Sequence, residues 1–580
     1  MDLEQVSDRT IPGLFLRQVA AGPERPFLTY YEGPAWRMVT YAQMQERVER
    51  AAAHLLGLGV GEREAVVLMA PNRLEWAVAD LAIQLIGGVT APIYPSSIET
   101  QVQAILRNCE ARVALVEGHE REDRLHGVRT VRLESEFMRW YGEPATADQM
   151  AEIHRRAAAI KPDDLATIVY TSGTTGEPKG VEHAHGHLVD EVRQAIIAFP
   201  MNERDVSLSL LPLSHILERV SGFYQMIGAG SSAWLSRGSQ HLLEDIAACR
   251  PTVMICVPRV YEKVYQGVMA EVAQRSATQQ RIFRWALAQG RHQADTGAGG
   301  LSYRVADRLV LAGLRRRLTG GRLRYFISGG APLLREVEAF FWAIGVKILQ
   351  GWGLTETSSG TTANRVDDHR FETVGKPLPG VELRIADDGE ILVKSPGNLI
   401  AYHHNPVATE EVLSDGWVHT GDIGEIDKDG FLHITDRKKD LLKTSGGKFV
   451  APLQLEARLL QDSLLANAMV VGDLRPYVTA LLVPSWIMVE KTLGLEGEPE
   501  KLVEDPTLIA ALQEIVDRTN QDLASWETIK RFRVLPHEFS ETTGELTPTL
   551  KVRRRVVLER HQAEIDEMYA RPREEAQAAG

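Results

Sequence analysis

Cysteine is nearly absent: only Cys109, Cys249 and Cys256 occur in 580 residues, and no two of them form a CxxC pair. A disulfide framework and a cysteine-based zinc site are thereby excluded, and a reducing cytoplasm fits. Positive charge is also in deficit, with 65 Lys and Arg against 78 Asp and Glu for a net −13. Most of such a surface repels a nucleic-acid backbone, so nucleic acid is not an expected partner. Long hydrophobic runs are missing as well. The most apolar stretch, Leu81 to Tyr94, includes Gln84 and falls short of the roughly twenty residues a membrane span needs. The start, MDLEQVSDRT, is acidic and leads into no apolar segment, so no secretory signal is expected. No repeat of fixed period is visible. What is present is ordinary for a globular chain, 44% hydrophobic and 25% charged, which excludes disordered, collagen-like and coiled-coil classes. At roughly 150 residues per domain the length allows about four folding units, which a large α/β enzyme can merge into one body.

Short β-branched runs alternate with amphipathic stretches: Ala65 to Met69, Asn72 to Ile86, Val89 to Tyr94, Glu99 to Asn108, Val113 to Glu117. The order strand, helix, strand, helix, strand predicts parallel sheets flanked by helices. Further strands are expected at Ala166 to Thr171, Val206 to Leu211, Thr252 to Val257, Leu323 to Ser328 and Val346 to Gln350. Several end in Gly-rich or polar turns, and ligands of open α/β sheets gather at the carboxyl ends of strands. An Arg-rich helical stretch from about 261 to 324 reads as an inserted helical pair, broken by the glycines of DTGAGG at Asp295 to Gly300. The charged, Gly-containing run DRKKDLLKTSGGK from Asp436 marks the main domain boundary, and the residues from Arg571 onward read as a frayed tail.

Directly after the strand IVY comes TSGTTGEPKG, Thr171 to Gly180. Glycines let backbone N–H groups converge on anionic oxygens, hydroxyls donate further bonds, and Lys179 adds a point charge, a composition suited to phosphate. It is not a Walker loop, because the GxxxxGK[ST] spacing is absent. The plain alternative is a Gly/Ser turn with an exposed lysine. The loop resembles the signature of the adenylate-forming, AMP-binding superfamily, and five more motifs follow in order: SGGAPL (328–333), QGWGLTET (350–357), TGD (420–422), DRKKDLLKTSGGK (436–448) and LTPTLK (546–551). The wording of LPLSHILER (211–219), KTSGGKFVAP and LTPTLKVRRR, and the helical insertion, is similar to bacterial long-chain fatty acyl-CoA synthetases.

That resemblance implies an α/β fold: a large multi-sheet N-terminal AMP-binding domain over 1–435, a hinge at 436–440 and a small mobile α+β lid over 441–580. It implies that ATP, Mg²⁺ and CoA are used, a carboxylic acid attacking the α-phosphate to give acyl-adenylate and pyrophosphate before the thiol of CoA displaces AMP. Positive charge must sit where the transition state develops its own. Thr171, Ser172, Gly173, Thr174, Thr175, Gly176 and Lys179 would hold the β- and γ-phosphates, Thr355 would contact the α-phosphate, and Glu356 would bind Mg²⁺. Lys551 would bridge the carboxylate and the α-phosphate and is the first choice of catalytic residue. Gly330, Ala331 and Pro332 would line one face of adenine with Trp352 on the other, Gln350, Gly351 and Gly353 belonging to the same nucleotide motif. Trp352 stands where the family usually has tyrosine, and its plain alternative is a core aromatic.

Asp422 would accept the ribose hydroxyls and Arg437 would donate to the ribose, while Lys439 matches the position about which the lid rotates. Gly446 and Gly447 would line the pantetheine tunnel after that rotation, beside Phe449, where relatives often carry a polar residue. His215 matches a position at the acyl and thiol entrance, with a structural histidine as the equal alternative. Arg315 to Arg317, Arg322 and Arg324 could attract an anionic lipid surface or the 3′-phosphate of CoA, but a solvated helix face is the preferred reading. The expectation is an AMP-forming long-chain fatty acid–CoA ligase, cytoplasmic, with peripheral membrane contact and a homodimer left open. The competing readings are a fatty acyl-AMP ligase that loads a carrier protein and a non-catalytic nucleotide or lipid binder.

Overall fold

The computed structural model describes residues 6–172, 178–521, 523–540, 542–547 and 552–570. A six-stranded sheet runs in the order Arg129–Arg132, Val113–Val116, Ala65–Met69, Val89–Pro92, Leu165–Ser172, Pro178–Ala184. Its neighbours are parallel until the last pair, which is an antiparallel hairpin about the phosphate-loop motif. A nine-stranded sheet has Lys347–Trp352, Tyr325–Ser328, Val253–Cys256, Val206–Ser209, Ser232–Leu235 and Pro26–Glu32 as its parallel centre. These are the parallel βα units expected from the alternation of short apolar runs and amphipathic stretches.

Between the two sheets lies a layer of helices, and one core is continuous through it. The helix Leu74–Leu85 is buried at every position. A helix apolar all round can only be interior, yet this one carries Asp80 and Gln84, both 0% exposed. Their partners make that tolerable: Arg219 pairs with Asp80, the Tyr224 hydroxyl donates to Asp80 (2.6 Å), and Gln84 donates to Tyr224 (2.6 Å). Removing Arg219 or Asp80 alone would strand a charge in the core at a cost of about 3–5 kcal/mol. The three cysteines are buried and free, small hydrophobes as expected.

The insertion differs from the expected pair. It forms three rods: Pro258–Ala273, Ala277–Thr296, and Leu301–Ala306 continued through one π turn (Asp307–Leu311) into Ala312–Thr319. The glycine break occurs where the glycines put it, with Gly297 at φ 68° closing the second rod. The additional break at 274–276 is a capping box, Ser276 and Gln279 each accepting the other's backbone N–H.

A five-stranded antiparallel sheet (Glu382–Ile385, Glu390–Lys394, Trp417–Ile426, Leu413–Ser414, Leu432–Arg437) follows. Beyond it come the hairpin Leu442–Lys443/Phe449–Val450 and a three-stranded sheet of Leu465–Val471, Val478–Pro484 and Ile529–Val534, with its own core. Among the described residues no helix is long and apolar enough to cross a membrane.

Candidate active site

Thr171, Gly330 to Pro332, Gln350 and Trp352 stand at the carboxyl ends of parallel strands or just past them. Strand Leu165–Ser172 delivers Thr171, and the returning strand places Lys179 opposite it in register. Gly173, Thr174, Thr175 and Gly176 lie outside the described residues, as does Lys551. Segment 400–403 pairs with the returning strand through Glu182 and Gly180, which sets Tyr402 beside Lys179. The ammonium of Lys179 lies 4.9 Å from the centre of the Tyr402 ring. The Tyr402 hydroxyl donates to Glu356 Oε1 at 2.6 Å, and burial together with Glu356 keeps that phenol protonated. One carboxylate oxygen is thus oriented by a neutral donor while the other keeps its acceptor capacity.

Thr355 and Glu356 sit in a single 3₁₀ turn, Thr355–Thr357. Two residues after it adopt backbone angles unusual outside glycine, Ser358 at φ 63° and Ser359 at φ 129°, and both are buried. Such strain persists only where surroundings enforce it. Here His183 Nε2 donates to the Thr355 carbonyl (2.7 Å), Ser358 Oγ lies 3.0 Å from His183 Nδ1 and 2.7 Å from the Gly397 carbonyl, and the Ser221 and Ser359 hydroxyls are 2.7 Å apart. Burial pushes His183 down to about 3, so it is neutral and its Nε2 proton serves Thr355. Gly353 has no alternative, because a Cβ there would lie 1.6 Å from the Ser359 carbonyl oxygen.

A second cluster forms at Asp422. Trp352 donates its indole N–H to Asp422 Oδ2 at 2.8 Å, and Arg437 donates Nε to Oδ1 at 2.9 Å. Asp422 is 4% exposed and Trp352 is 9% exposed within the core of its sheet. The indole N–H therefore gives this buried ring a polar contact. Arg437 is half-exposed. Asp422 foremost, then Asp440 and Glu356 more weakly, hold its guanidinium charged, so the two clusters lie within electrostatic reach of each other.

Gly330, Ala331 and Pro332 are exposed just past strand Tyr325–Ser328, whose Ser328 pairs with Gln350. Gln350 anchors that loop: its Oε1 accepts from Leu333 N (3.3 Å) and its Nε2 donates to Glu338 (2.8 Å). Gly351 is close-packed, since a Cβ there would meet Thr362 O at 3.1 Å. His215 opens the π turn Leu217–Tyr224, accepting from Leu217 N (3.1 Å) with its ring 6.4 Å from that of Tyr94.

Other expected residues stand apart. Lys439 is exposed just after strand Leu432–Arg437. Gly446 and Gly447 occupy the exposed turn of a short hairpin, Gly447 at φ 78° with no atom near a Cβ built on it, and Phe449 is 59% exposed. Of the arginine cluster, Arg315 pairs with Asp307, Arg317 with Glu271 and Arg324 with Asp205, as a structural face would. Residue-level reading missed His183, Ser358, Ser359 and Tyr402. Asn405 and Pro406 do announce a helix start, Asn405 accepting from Ala408 N, but nothing local tells that the hydroxyl of Tyr402 reaches a carboxylate 46 positions away.

Comparison with known proteins bears on this geometry. The chain is 38% identical over 569 residues to the long-chain-fatty-acid–CoA ligase FadD15 of Mycobacterium bovis, covering 92% of each chain. It is 29% identical over 616 residues to long chain acyl-CoA synthetase 3 of Arabidopsis thaliana, covering 97% of this chain and 92% of that one. Two solved structures share the fold: an anthranilate CoA ligase in complex with anthranoyl-AMP (TM-score 0.74, 21% identity, 96% and 98% covered) and the adenylation domain of a Mycobacterium chelonae carboxylate reductase (TM-score 0.77, 22%, 97% and 91%). Residues 439–573 match the AMP-binding enzyme C-terminal domain. Residues 15–403, more than half of the chain, match the AMP-binding enzyme family itself, and to that family the chain belongs.

Proposed function

We propose that the protein is an AMP-forming ligase that activates a long-chain fatty acid with ATP to an acyl-adenylate and passes the acyl group to CoA, releasing AMP and pyrophosphate. The observation that carries this reading is the pair of clusters Lys179–Tyr402–Glu356 and Trp352–Asp422–Arg437, in a chain so similar to a long-chain-fatty-acid–CoA ligase along its length. Asp422, held by Trp352 and Arg437, accepts ribose hydroxyls with its remaining lone pairs. Lys179 and the loop before it bind the outer phosphates. Lys551 brings the cation that steadies the charge shared by carboxylate and α-phosphate in the transition state.

The donor set fits Mg²⁺. Glu356 offers one directed carboxylate, and among the described residues no cluster of three His, Cys, Asp or Glu exists, which suits an ion held mainly by nucleotide phosphates and water. Glu356 would hold it, and it would supply charge neutralisation on the phosphates. The turn at Gly446 and Gly447 is exposed, and we assign it to the second half-reaction, after rotation about Lys439.

Pyrophosphate release across acids from acetate to stearate, with and without CoA, tests the assignment. Each buried methylene contributes about 0.8 kcal/mol before ordering costs. The expected result is kcat/KM rising by about a hundredfold or more from octanoate to palmitate, with thioester formed only when CoA is present. A flat profile, or turnover only with a carrier protein, would overturn it.

A further inference from the structure

The segment Leu217–Tyr224 carries two buried polar side chains, Arg219 and Ser221, to which the chemistry above gives no part. It winds as a π turn, a form that is rare and gathers at functional sites. Two residues apart on a helix, Arg219 and Ser221 project to different sides and cannot serve the same neighbour. Their partners lie on separate elements. Arg219 donates Nη1 to the Thr167 hydroxyl at 2.7 Å, with Asp80 balancing its charge. Ser221 meets the Ser359 hydroxyl at 2.7 Å.

Thr167 and Ser359 belong to the two sides of the phosphate site assigned above. Thr167 stands in the strand Leu165–Ser172, which leads to Thr171 and the phosphate-loop motif. Ser359 lies just beyond the turn Thr355–Thr357, which carries Glu356. A second path joins the same two sides. Thr167 is the register partner of His183 in the neighbouring strand, and His183 donates to the Thr355 carbonyl and lies against the Ser358 hydroxyl. Together with the short stretches of chain between them, these contacts close a ring through Thr167, Arg219, Ser221, Ser359, Ser358 and His183, and all six side chains are buried. A buried polar network whose members are satisfied rigidifies what it joins, and a closed ring resists changes of spacing that a single contact would allow.

We propose that Arg219 and Ser221 are positioning residues that hold the phosphate-loop strand and the Thr355–Glu356 turn at the spacing ATP requires. The inference rests on the ligase reading, since it takes the nucleotide phosphates to lie between those two sides. ATP would span both, with its outer phosphates on the loop side and its α-phosphate at Thr355. AMP and an acyl-adenylate lack the outer phosphates and would touch only the turn. A change of spacing therefore costs ATP binding and spares AMP. The backbone at Ser358 and Ser359, with φ of 63° and 129°, gives the ring something to hold, because a strained segment relaxes once its restraints are removed.

Equilibrium binding of ATP with Mg²⁺, and separately of AMP, to the full chain without acid or CoA tests the proposal. Ser221→Ala and Ser359→Ala should each weaken ATP about tenfold and leave AMP within about twofold. The double variant should be no weaker than either single one, because the two hydroxyls share one hydrogen bond. Arg219 is probed through its partner, since replacing it would leave Asp80 unpaired in the core. Thr167→Val removes the hydroxyl and should show the same ATP defect, and Thr167→Ser should restore binding. Pyrophosphate release should fall with ATP affinity, whereas thioester formation from synthetic acyl-adenylate and CoA should keep its wild-type rate. Wild-type protein that binds no ATP would remove the ligase reading and this inference with it. Where the wild type binds ATP, variants that lose ATP and AMP equally would overturn the inference alone. So would variants that bind both normally and show only a lower melting temperature, which would leave these side chains to folding.

Discussion

The Asp422 cluster, which we assign to the ribose, and the Gly446–Gly447 turn are built in opposite ways. At the first, Asp422 is buried and held by Trp352 on one oxygen and Arg437 on the other. At the second, two glycines stand in solvent, with only Thr444 Oγ1 nearby, 3.9 Å from a Cβ built on Gly446. A prearranged carboxylate loses little entropy when it binds a ligand, so on our assignment the nucleotide site at Asp422 is ready before its substrate arrives. An unpacked turn has no such preparation, and on our assignment its function depends on where the chain beyond Lys439 carries it.

The contrast is broken most severely at Lys551, which we assign to adenylation alone. Lys551→Ala is expected to reduce acid-dependent pyrophosphate release by about a thousandfold or more. The same variant supplied with synthetic acyl-adenylate and CoA should still form thioester, and loss of both half-reactions in a folded protein would remove the assignment. Gly446→Leu should give the opposite pattern, with adenylate accumulating and thioester formation falling about a hundredfold if the turn lines the thiol path. Gly446 is the sharper choice than Gly447 because it lacks a positive φ, so a defect reports obstruction and not backbone strain.

Smaller effects sharpen the prepared side. Tyr402→Phe removes one donor from Glu356, and kcat should fall about tenfold with a raised requirement for Mg²⁺. Trp352→Phe keeps a ring but frees one oxygen of Asp422, so the preference for ATP over 2′-deoxy-ATP should narrow several-fold, about 1 kcal/mol. Unchanged nucleotide selectivity would mean that Trp352 serves only packing.

The mildest test concerns stability. Burial pushes Glu191, Glu218 and Glu338 up to about 8. A carboxyl raised above its unfolded value stabilises fully below that value, and the contribution is lost as pH climbs through the folded one. The melting temperature should therefore fall between roughly pH 5 and pH 9. In Glu191→Gln and Glu338→Gln, whose amide oxygens can still accept from Gly360 N and Gln350, the decline should be shallower.

Much of this architecture was legible from local pattern. Ala65 to Met69 and Val113 to Glu117 are strands because brief β-branched runs bounded by polar turns have few other uses, and both were located to within a residue. The break at Ser276 was equally local, a serine followed three residues later by glutamine, but the glycines at 297–300 drew the eye to the other end of the rod. The site shows a deeper limit. Lys179, Glu356, Asp422 and Arg437 could be named from motif wording, since each motif is one short segment with its own chemistry.

By itself, then, the sequence determined the class of fold, the parallel βα order and which segments carry charge, because those properties live in spacing and composition. Only the tertiary structure decided who orients whom. His183 supports Thr355 from 172 positions away, Tyr402 reaches Glu356 across 46, and Trp352 reaches Asp422 across 70. A hydrogen bond acts over about 3 Å, and no periodicity along a chain encodes which distant atoms folding will bring within that reach.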